Sequence, residues 1–481
     1  MRVLLLNPPG REIYIRDYFC SKTTKSNYYF HPVDLLALSG TLAQEHEVAV
    51  LDCIAERLTP EAAHERIDEA SPDAILSLVG SVSWDEDRAF LAIEAAAQRR
   101  ILAIGDVLHE SAEERLADEP WLEAILDDFT TRDALHLLAR DEAPILRATW
   151  RRPDGSIHHR NEPRKGREHR LPRPRHELFP KSGYHFSFAR KTPFATLLTD
   201  YGCPWPCTFC VISTLGHSTR PIPDVLEELD HLRAQGTHEL FIADQTFGVH
   251  RPRALELCRA LQERGDLSWT AFTRPDLADD ELLSAMQSAG CHTLIMGVES
   301  ADEAVLAATR KGYTTDIVHA AFARARSHNL RTVGTFVIGL PEETEASLSQ
   351  TLDLALSLDL DYMSLNVAVP RFGTPFRAQS IAAGLTDPTN LTMDQSGATI
   401  ALPTHSLTQA ELARQKRRMI RRFYLRPRYL LRRALSTTGP RALLTEAREG
   451  LALLSRNTLV RRRTPNDRHT VSDTHRSSSG V

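Results

Sequence analysis

The chain has 481 residues, 42% of them hydrophobic and 25% charged, with a formal net charge of −5. At roughly 150 residues per domain, this length predicts two or three domains with ample buried core. An aromatic content of 7% and the small net charge exclude a wholly disordered chain and a global polyanion binder. No apolar run approaches the roughly 20 residues of a membrane span, and Met1-Arg2-Val3 opens a strand instead of a signal peptide. Seven cysteines, three of them crowded into one short segment, argue against a secreted disulfide scaffold. They fit a cytoplasmic, reduced compartment and a metal site.

Residues 1–140 alternate strand-length apolar runs (2–8, 46–54, 73–81, 100–106) with helical patterns (32–45, 60–70, 85–99). The alternation predicts parallel strands in a doubly wound, flavodoxin-like α/β domain. Ligands of such sheets bind beyond the carboxyl ends of the strands, where the loops 7–10, 80–84 and 105–111 fall. Residues 141–190 read as a basic, Pro-rich linker. Within them, 151–175 holds many Arg, His and Pro and almost no apolar residue, as an exposed connector or docking arm does.

From residue 195 the alternation resumes more cleanly. Strand runs lie at 195–202, 238–247, 268–274, 292–300, 331–340 and 361–369. Between them are helical patterns at 223–235, 251–264, 279–289, 302–310, 315–328 and 343–358. Asp279 opens one helix with an acidic first turn, and Gly265 and Gly290 follow helix ends. Six βα repeats are too few for a closed eight-stranded barrel and predict an open, partial (β/α)6 barrel over 191–385. The chemistry of such folds sits at the carboxyl ends of the strands. A helical segment follows over 386–460, its helix at 408–435 broken at Pro427, with ten Lys or Arg within 414–433. The polar end 461–481, with three consecutive serines, predicts a disordered tail.

The most informative segment is Cys203-Pro-Trp-Pro-Cys207-Thr-Phe209-Cys210, directly after the first barrel strand. Three thiolates at this spacing can wrap one small inorganic centre. Iron–sulfur clusters normally take four cysteines, and Cys20, Cys53, Cys258 and Cys291 offer no obvious fourth. A cubane with one uncoordinated iron follows, and that iron can bind a small molecule. A structural zinc site completed by His217 is the alternative, although zinc ribbons usually pair two CxxC knuckles and the second is missing.

The pattern Cys203-x3-Cys207-x-Phe209-Cys210 resembles the signature of radical S-adenosylmethionine (SAM) enzymes. The resemblance implies a [4Fe–4S] cluster on Cys203, Cys207 and Cys210, whose open iron chelates SAM, with Phe209 part of the same cofactor site. It places Asp244 near the SAM amine, Glu299 and Ser300 near its ribose, Arg274 facing its carboxylate and Gly339 on the adenine side. A doubly wound domain ahead of such a barrel looks like the cobalamin-binding subfamily, with Asn7, Pro8 and Gly105 at the corrin edge. Leu171-Pro172-Arg173-Pro174-Arg175 and Tyr424-Leu425-Arg426-Pro427 add to that likeness. Two departures stand out: no Asp-x-His-x-x-Gly stretch supplies an axial histidine, and Gly105-Asp106 and Asp127-Asp128 replace usual glycine-containing pairs.

The resemblance implies a cobalamin-dependent methyltransferase acting on an unactivated carbon or a phosphinate of a small-molecule, lipid or natural-product substrate. It leaves open a cyclase, oxidase or rearrangement enzyme without net methylation, and a methylthiotransferase. The partners it implies are a flavodoxin- or ferredoxin-type electron donor and no nucleic acid. The basic C-terminal helix reads as packing over the barrel mouth, with peripheral membrane contact an expectation if the substrate is a lipid.

Overall fold

The computed structural model describes residues 1–17, 28–163, 168–391, 393–436, 448, 450, 451 and 453. Cys20 and the predicted tail 461–481 lie outside the described residues.

The first sheet contains β1 (Arg2–Asn7), β2 (Glu47–Asp52), β3 (Ala74–Leu78), β4 (Arg100–Ile104), β5 (Ala124–Leu126), β6 (Arg147–Arg151) and β7 (Ile157–Asn161). Its order is β2-β1-β3-β4-β5-β6-β7. The first five strands are parallel, the doubly wound order whose direction reverses between β1 and β3. Central strands such as β3 (AILSL) are continuous apolar runs because helices cover both faces. Leu5, Leu76 and Leu102 pack with Leu35 and Leu38 on one face, and Leu6, Ile75 and Ile101 with Ile67 and Leu91 on the other.

Part of the expected linker belongs to this sheet: β6 pairs antiparallel with β5, and β7 with β6. Ala148 and Trp150 of β6 are buried, whereas β7 (IHHRN) is an edge strand with no fully buried residue. An edge strand needs only one paired side and tolerates this polarity, so its sequence carries almost no hydrophobic signal.

The second sheet is the six-stranded partial barrel. It contains β8 (Phe194–Leu197), β11 (Glu239–Ile242), β12 (Ser268–Thr273), β13 (Cys291–Glu299), β14 (Arg331–Ile338) and β15 (Tyr362–Val367). All are parallel in the order β15-β14-β13-β12-β11-β8. A separate hairpin of β9 (Asp200–Gly202) and β10 (His217–Thr219) brackets the cysteine segment. Leu198, Tyr201 and Ile212 of this region join the core of the first domain, so the cysteine loop is packed against that domain. After β15 come the helices Gln409–Tyr424, with a Thr408–Glu411 capping box, and Pro427–Ser436, which Pro427 opens at its first position.

Candidate active site

The loop between β9 and β10 is tied down at several points. The Cys203 N–H donates to the Gly216 carbonyl at 2.8 Å, and the Thr208 N–H to the Thr309 carbonyl at 3.0 Å. Ser213 Oγ donates to the Cys210 carbonyl at 2.7 Å and lies 3.2 Å from the Cys207 carbonyl. Cys203, Cys207 and Cys210 thereby line one wall of a cavity of about 670 Å³ that both sheets share. Burial raises the Cys203 thiol, and burial together with Cys207 pushes Cys210 up to about 11. Three thiolates coexist here only around a centre that brings its own positive charge. Among the described residues no three His, Cys, Asp or Glu side chains converge on a single metal ion, and His217 lies 3.3 Å from Asp200. Three thiols on one short loop at the cavity wall fit a centre held by Cys203, Cys207 and Cys210.

Opposite signs of charge meet beside the thiols. The backbone register shifts between Gly297 and Glu299, and Glu299 ends the strand at φ +64, a left-handed conformation uncommon outside glycine. Such strain persists only when neighbours hold it, and here Lys311 Nζ donates to Glu299 Oε1 at 2.7 Å. Gly297 makes the room: a Cβ there would stand 2.4 Å from Glu299 Oε1 and 3.0 Å from Lys311 Nζ. Burial works to lower Lys311, but Glu299, Tyr313 and Cys207 outweigh it and keep the ammonium well above its ordinary value.

Lys311 also lies 5.8 Å from the Phe209 ring centre and 5.6 Å from that of Tyr313. Arg274 sits over Trp205 at 4.3 Å and Tyr313 at 5.0 Å. It bonds Asp276 at 2.9 Å and donates to the Lys311 carbonyl at 2.9 Å. Arg274, Glu299 and Phe209 thus line the cavity with the cysteines, as do Gln245 and Thr246. Thr246 Oγ1 is 3.8 Å from Cys203 Sγ.

The other sequence-based candidates lie off the cavity wall. Asp244 is fully buried and accepts from the N–H groups of Thr199, at 2.6 Å, and Asp200, at 3.0 Å. It braces the entry to the cysteine loop. Ser300 Oγ accepts from the Asp302 N–H at 3.1 Å and lies 3.3 Å from Thr351 Oγ1, and the Gly339 N–H donates to Glu343 at 2.6 Å. In the first domain, Asn7 Nδ2 donates to Asp52 at 3.0 Å, and its Oδ1 accepts from Arg16 at 2.8 Å. The Pro8 carbonyl also accepts from Arg16, at 2.9 Å. Gly105 is packed against the preceding loop, where a Cβ would stand 1.8 Å from the Val79 carbonyl. Asp106 beside it ties the same loops, accepting from the Ser81 N–H at 2.8 Å and hydroxyl at 2.7 Å.

The first domain meets the cavity through other residues: Ile15, Tyr28, Phe30, Val33, Asp34 and Phe129. Burial and Asp17 push the Asp34 carboxyl up to about 7. Sequence reasoning also missed Lys311 and Trp205. Lys311 stands in the turn Arg310-Lys311-Gly312, which reads as an ordinary solvated loop. Trp205 lies inside the cysteine motif, where a lone aromatic between two prolines carries no periodic signal.

Residues 198–355 match the family model described as the radical SAM superfamily. An uncharacterised methyltransferase of Pyrococcus horikoshii is 29% identical over 454 residues, 90% of this chain and 94% of that one. A tRNA-2-methylthio-N(6)-dimethylallyladenosine synthase of Treponema pallidum is 26% identical over only 42% of this chain and 49% of its own length. Among solved structures, the radical SAM methyltransferase TsrM from Kitasatospora setae, with cobalamin and a [4Fe–4S] cluster bound, superposes with a TM-score of 0.61. That match covers 81% of this chain and 76% of TsrM at 19% identity. OxsB, a cobalamin-dependent SAM radical enzyme, superposes with a TM-score of 0.67 over 94% of this chain and 71% of its own, at 15% identity. At these identities the structural likeness is one of fold. With the cysteine loop at the barrel mouth and a doubly wound domain before it, residues 198–355 form a domain that matches the radical SAM superfamily.

Proposed function

We propose that this enzyme is a cobalamin-dependent radical SAM methyltransferase acting on an unactivated carbon or phosphinate of a small-molecule, lipid or natural-product substrate. The observation that carries this reading is the placement of Cys203, Cys207 and Cys210 on a cavity that the doubly wound domain also walls. Cys203, Cys207 and Cys210 would hold a [4Fe–4S] cluster, and the part of the cavity near Val33, Asp34 and Phe129 would receive the corrin. When bound, these groups supply one-electron cleavage of SAM to a 5′-deoxyadenosyl radical and a carrier for the methyl group.

The chain's own residues bind and shield. A wall bearing Arg274, Lys311 and Glu299 suits a zwitterion, since both signs of charge find a partner in a site of low dielectric. Lys311 engages Glu299 Oε1, and Oε2 is left to accept from hydroxyl donors such as those of a ribose. Phe209, Trp205 and Tyr313 enclose these cations in aromatic surface, which excludes water from reactive species. A flavodoxin- or ferredoxin-type protein would deliver the electron.

The test is the product profile of SAM. Protein reconstituted anaerobically with iron, sulfide and cobalamin, then given SAM and a strong reductant, should form deoxyadenosine and cobalamin-dependent S-adenosylhomocysteine. Deoxyadenosine alone would replace methyl transfer by a rearrangement, oxidation or cyclisation. Neither product from protein with a verified cluster would overturn the enzymatic reading.

A further inference from the structure

The helix Pro427–Ser436 turns polar and aromatic residues inward and leucines outward. Its buried Tyr429 donates to the Asp361 carbonyl at 2.9 Å, and its buried Arg433 to the Tyr362 hydroxyl at 2.6 Å. Arg432 holds the Asp359 carboxylate and the Leu360 carbonyl. On the other side, Leu430, Leu431 and Leu435 are 51%, 63% and 77% exposed, and Leu451 is 67% exposed. Arg418, Arg421, Arg422 and Arg428 are exposed along this helix and the one before it. Leu425, Leu430, Ala434 and Leu451 also line the cavity that bears the cysteines. The exposed aliphatic surface therefore continues into the cavity through Leu425, Leu430 and Ala434, beside Tyr429 and Arg433.

We infer that this face seats the barrel mouth on an anionic lipid surface, and that the cavity receives an apolar lipid chain through it as the substrate. The seat stands on the surface alone, while the substrate class rests on the proposed radical chemistry. A helix with leucines on one face and arginines flanking them lies in the plane of a membrane, its apolar side among the acyl chains. Arginines near the headgroups are drawn to anionic lipid. No helix among the described residues is long and apolar enough to cross a membrane. Single-stranded nucleic acid would need exposed rings for base stacking, whereas Phe423 and Tyr429 are buried and the Tyr424 hydroxyl donates to the Met363 carbonyl at 2.7 Å.

The experiment is vesicle sedimentation of the full chain at low salt, without SAM or reductant, on phosphatidylcholine with and without phosphatidylglycerol. The wild type should bind the anionic vesicles and lose binding as salt rises. Leu431→Glu/Leu435→Glu, at two positions off the cavity wall, should weaken binding by roughly tenfold per leucine removed from the bilayer, with an unchanged melting curve. Absence of anionic-vesicle binding in the wild type overturns the seat, as does equal binding by the double variant. So does retention of single-stranded RNA in place of vesicles. The substrate is tested separately, by deoxyadenosine formation from vesicles made of the source cells' own lipid extract. Stimulation in the wild type and not in the double variant supports it. Turnover indifferent to vesicles that the protein binds overturns the lipid substrate while leaving both the seat and the radical chemistry standing.

Discussion

At the switch point of the first sheet, between β1 and β3, the protein fills its own crevice, whereas the mouth of the second sheet opens on a cavity of about 670 Å³. The filler is Arg16, only 2% exposed. Its guanidinium bonds Asp87 at 2.7 Å, Ser83 at 3.0 Å, Asn7 at 2.8 Å and the carbonyls of Pro8 and Pro9 at 2.9 and 3.2 Å. Doubly wound sheets usually bind their ligands at this place. Among the described residues, the first domain reaches the shared cavity through the β1-to-helix connection at Ile15, Tyr28 and Phe30, the first turn of the next helix at Val33 and Asp34, and Phe129 after β5. One sheet closes its switch-point crevice with its own side chains, and the other leaves its mouth open.

Removal of a cluster thiol should have the largest effect. Cys203→Ala, Cys207→Ala or Cys210→Ala should each abolish the visible absorbance of a reconstituted cluster and all SAM cleavage, with the thermal midpoint little changed. Retained cleavage in any of the three would remove the site from the barrel mouth.

In the first domain the expected loss is of stability. Arg16→Met strands the Asp87 carboxylate in the interior, and breaking one half of a buried pair costs about 3–5 kcal/mol. A urea unfolding free energy lowered by that amount, with cluster absorbance per folded molecule unchanged, would separate the wall from the chemistry. A variant that stays fully stable but loses SAM cleavage would show instead that the crevice is functional.

Lys311 tests how tightly the mouth is organised. Lys311→Met removes a charged hydrogen bond worth about 1.5–3 kcal/mol and frees Glu299 from its left-handed position. SAM affinity measured by calorimetry should fall roughly ten- to hundredfold, while iron content stays at the wild-type level. Iron loss would reassign Lys311 to holding the cysteine loop.

The same contrast explains what the sequence made legible. Parallel strands buried on both faces, such as β3 and β13, announce themselves as apolar runs, and the spacing of three cysteines carries its own chemistry. The edge strand β7 was invisible because one solvated face needs no hydrophobic pattern. Asp244 and Glu299 show why the site was only partly legible. Both are acids at the ends of barrel strands, and nothing local distinguishes the one that braces a loop from the one that lines the cavity. The register shift at Gly297 and the bond from Lys311, twelve residues along, decide it, and both arise from tertiary packing. Arg16 is a similar case: an arginine in a polar stretch reads as solvated until the fold encloses it.

The smallest effect concerns the acids that brace the mouth. Burial raises Asp200 to about 8, and burial with Asp200 beside it raises Asp244 to about 7, both from 3.8. The folded chain therefore keeps protons that the unfolded chain has already released. Stability contributed by these groups is complete below about pH 4 and is lost as pH rises toward about 8. Asp34, at about 7, and Glu343, at about 8, act in the same direction. The thermal midpoint of the wild type should fall between pH 5 and pH 8. Asp244→Asn keeps an oxygen for the Thr199 and Asp200 N–H groups but carries no titrating proton, so its midpoint should fall less over the same range. The two acids titrate as a coupled pair, so the slope and not the midpoint at one pH is the quantity to compare. A wild-type midpoint that rises with pH would mean that the N–H donors of Thr199 and Asp200 keep Asp244 ionised. A shallower slope in Asp244→Asn with normal SAM binding would assign this acid to the support of the cysteine loop, and the wall around Lys311 and Glu299 to the ligand.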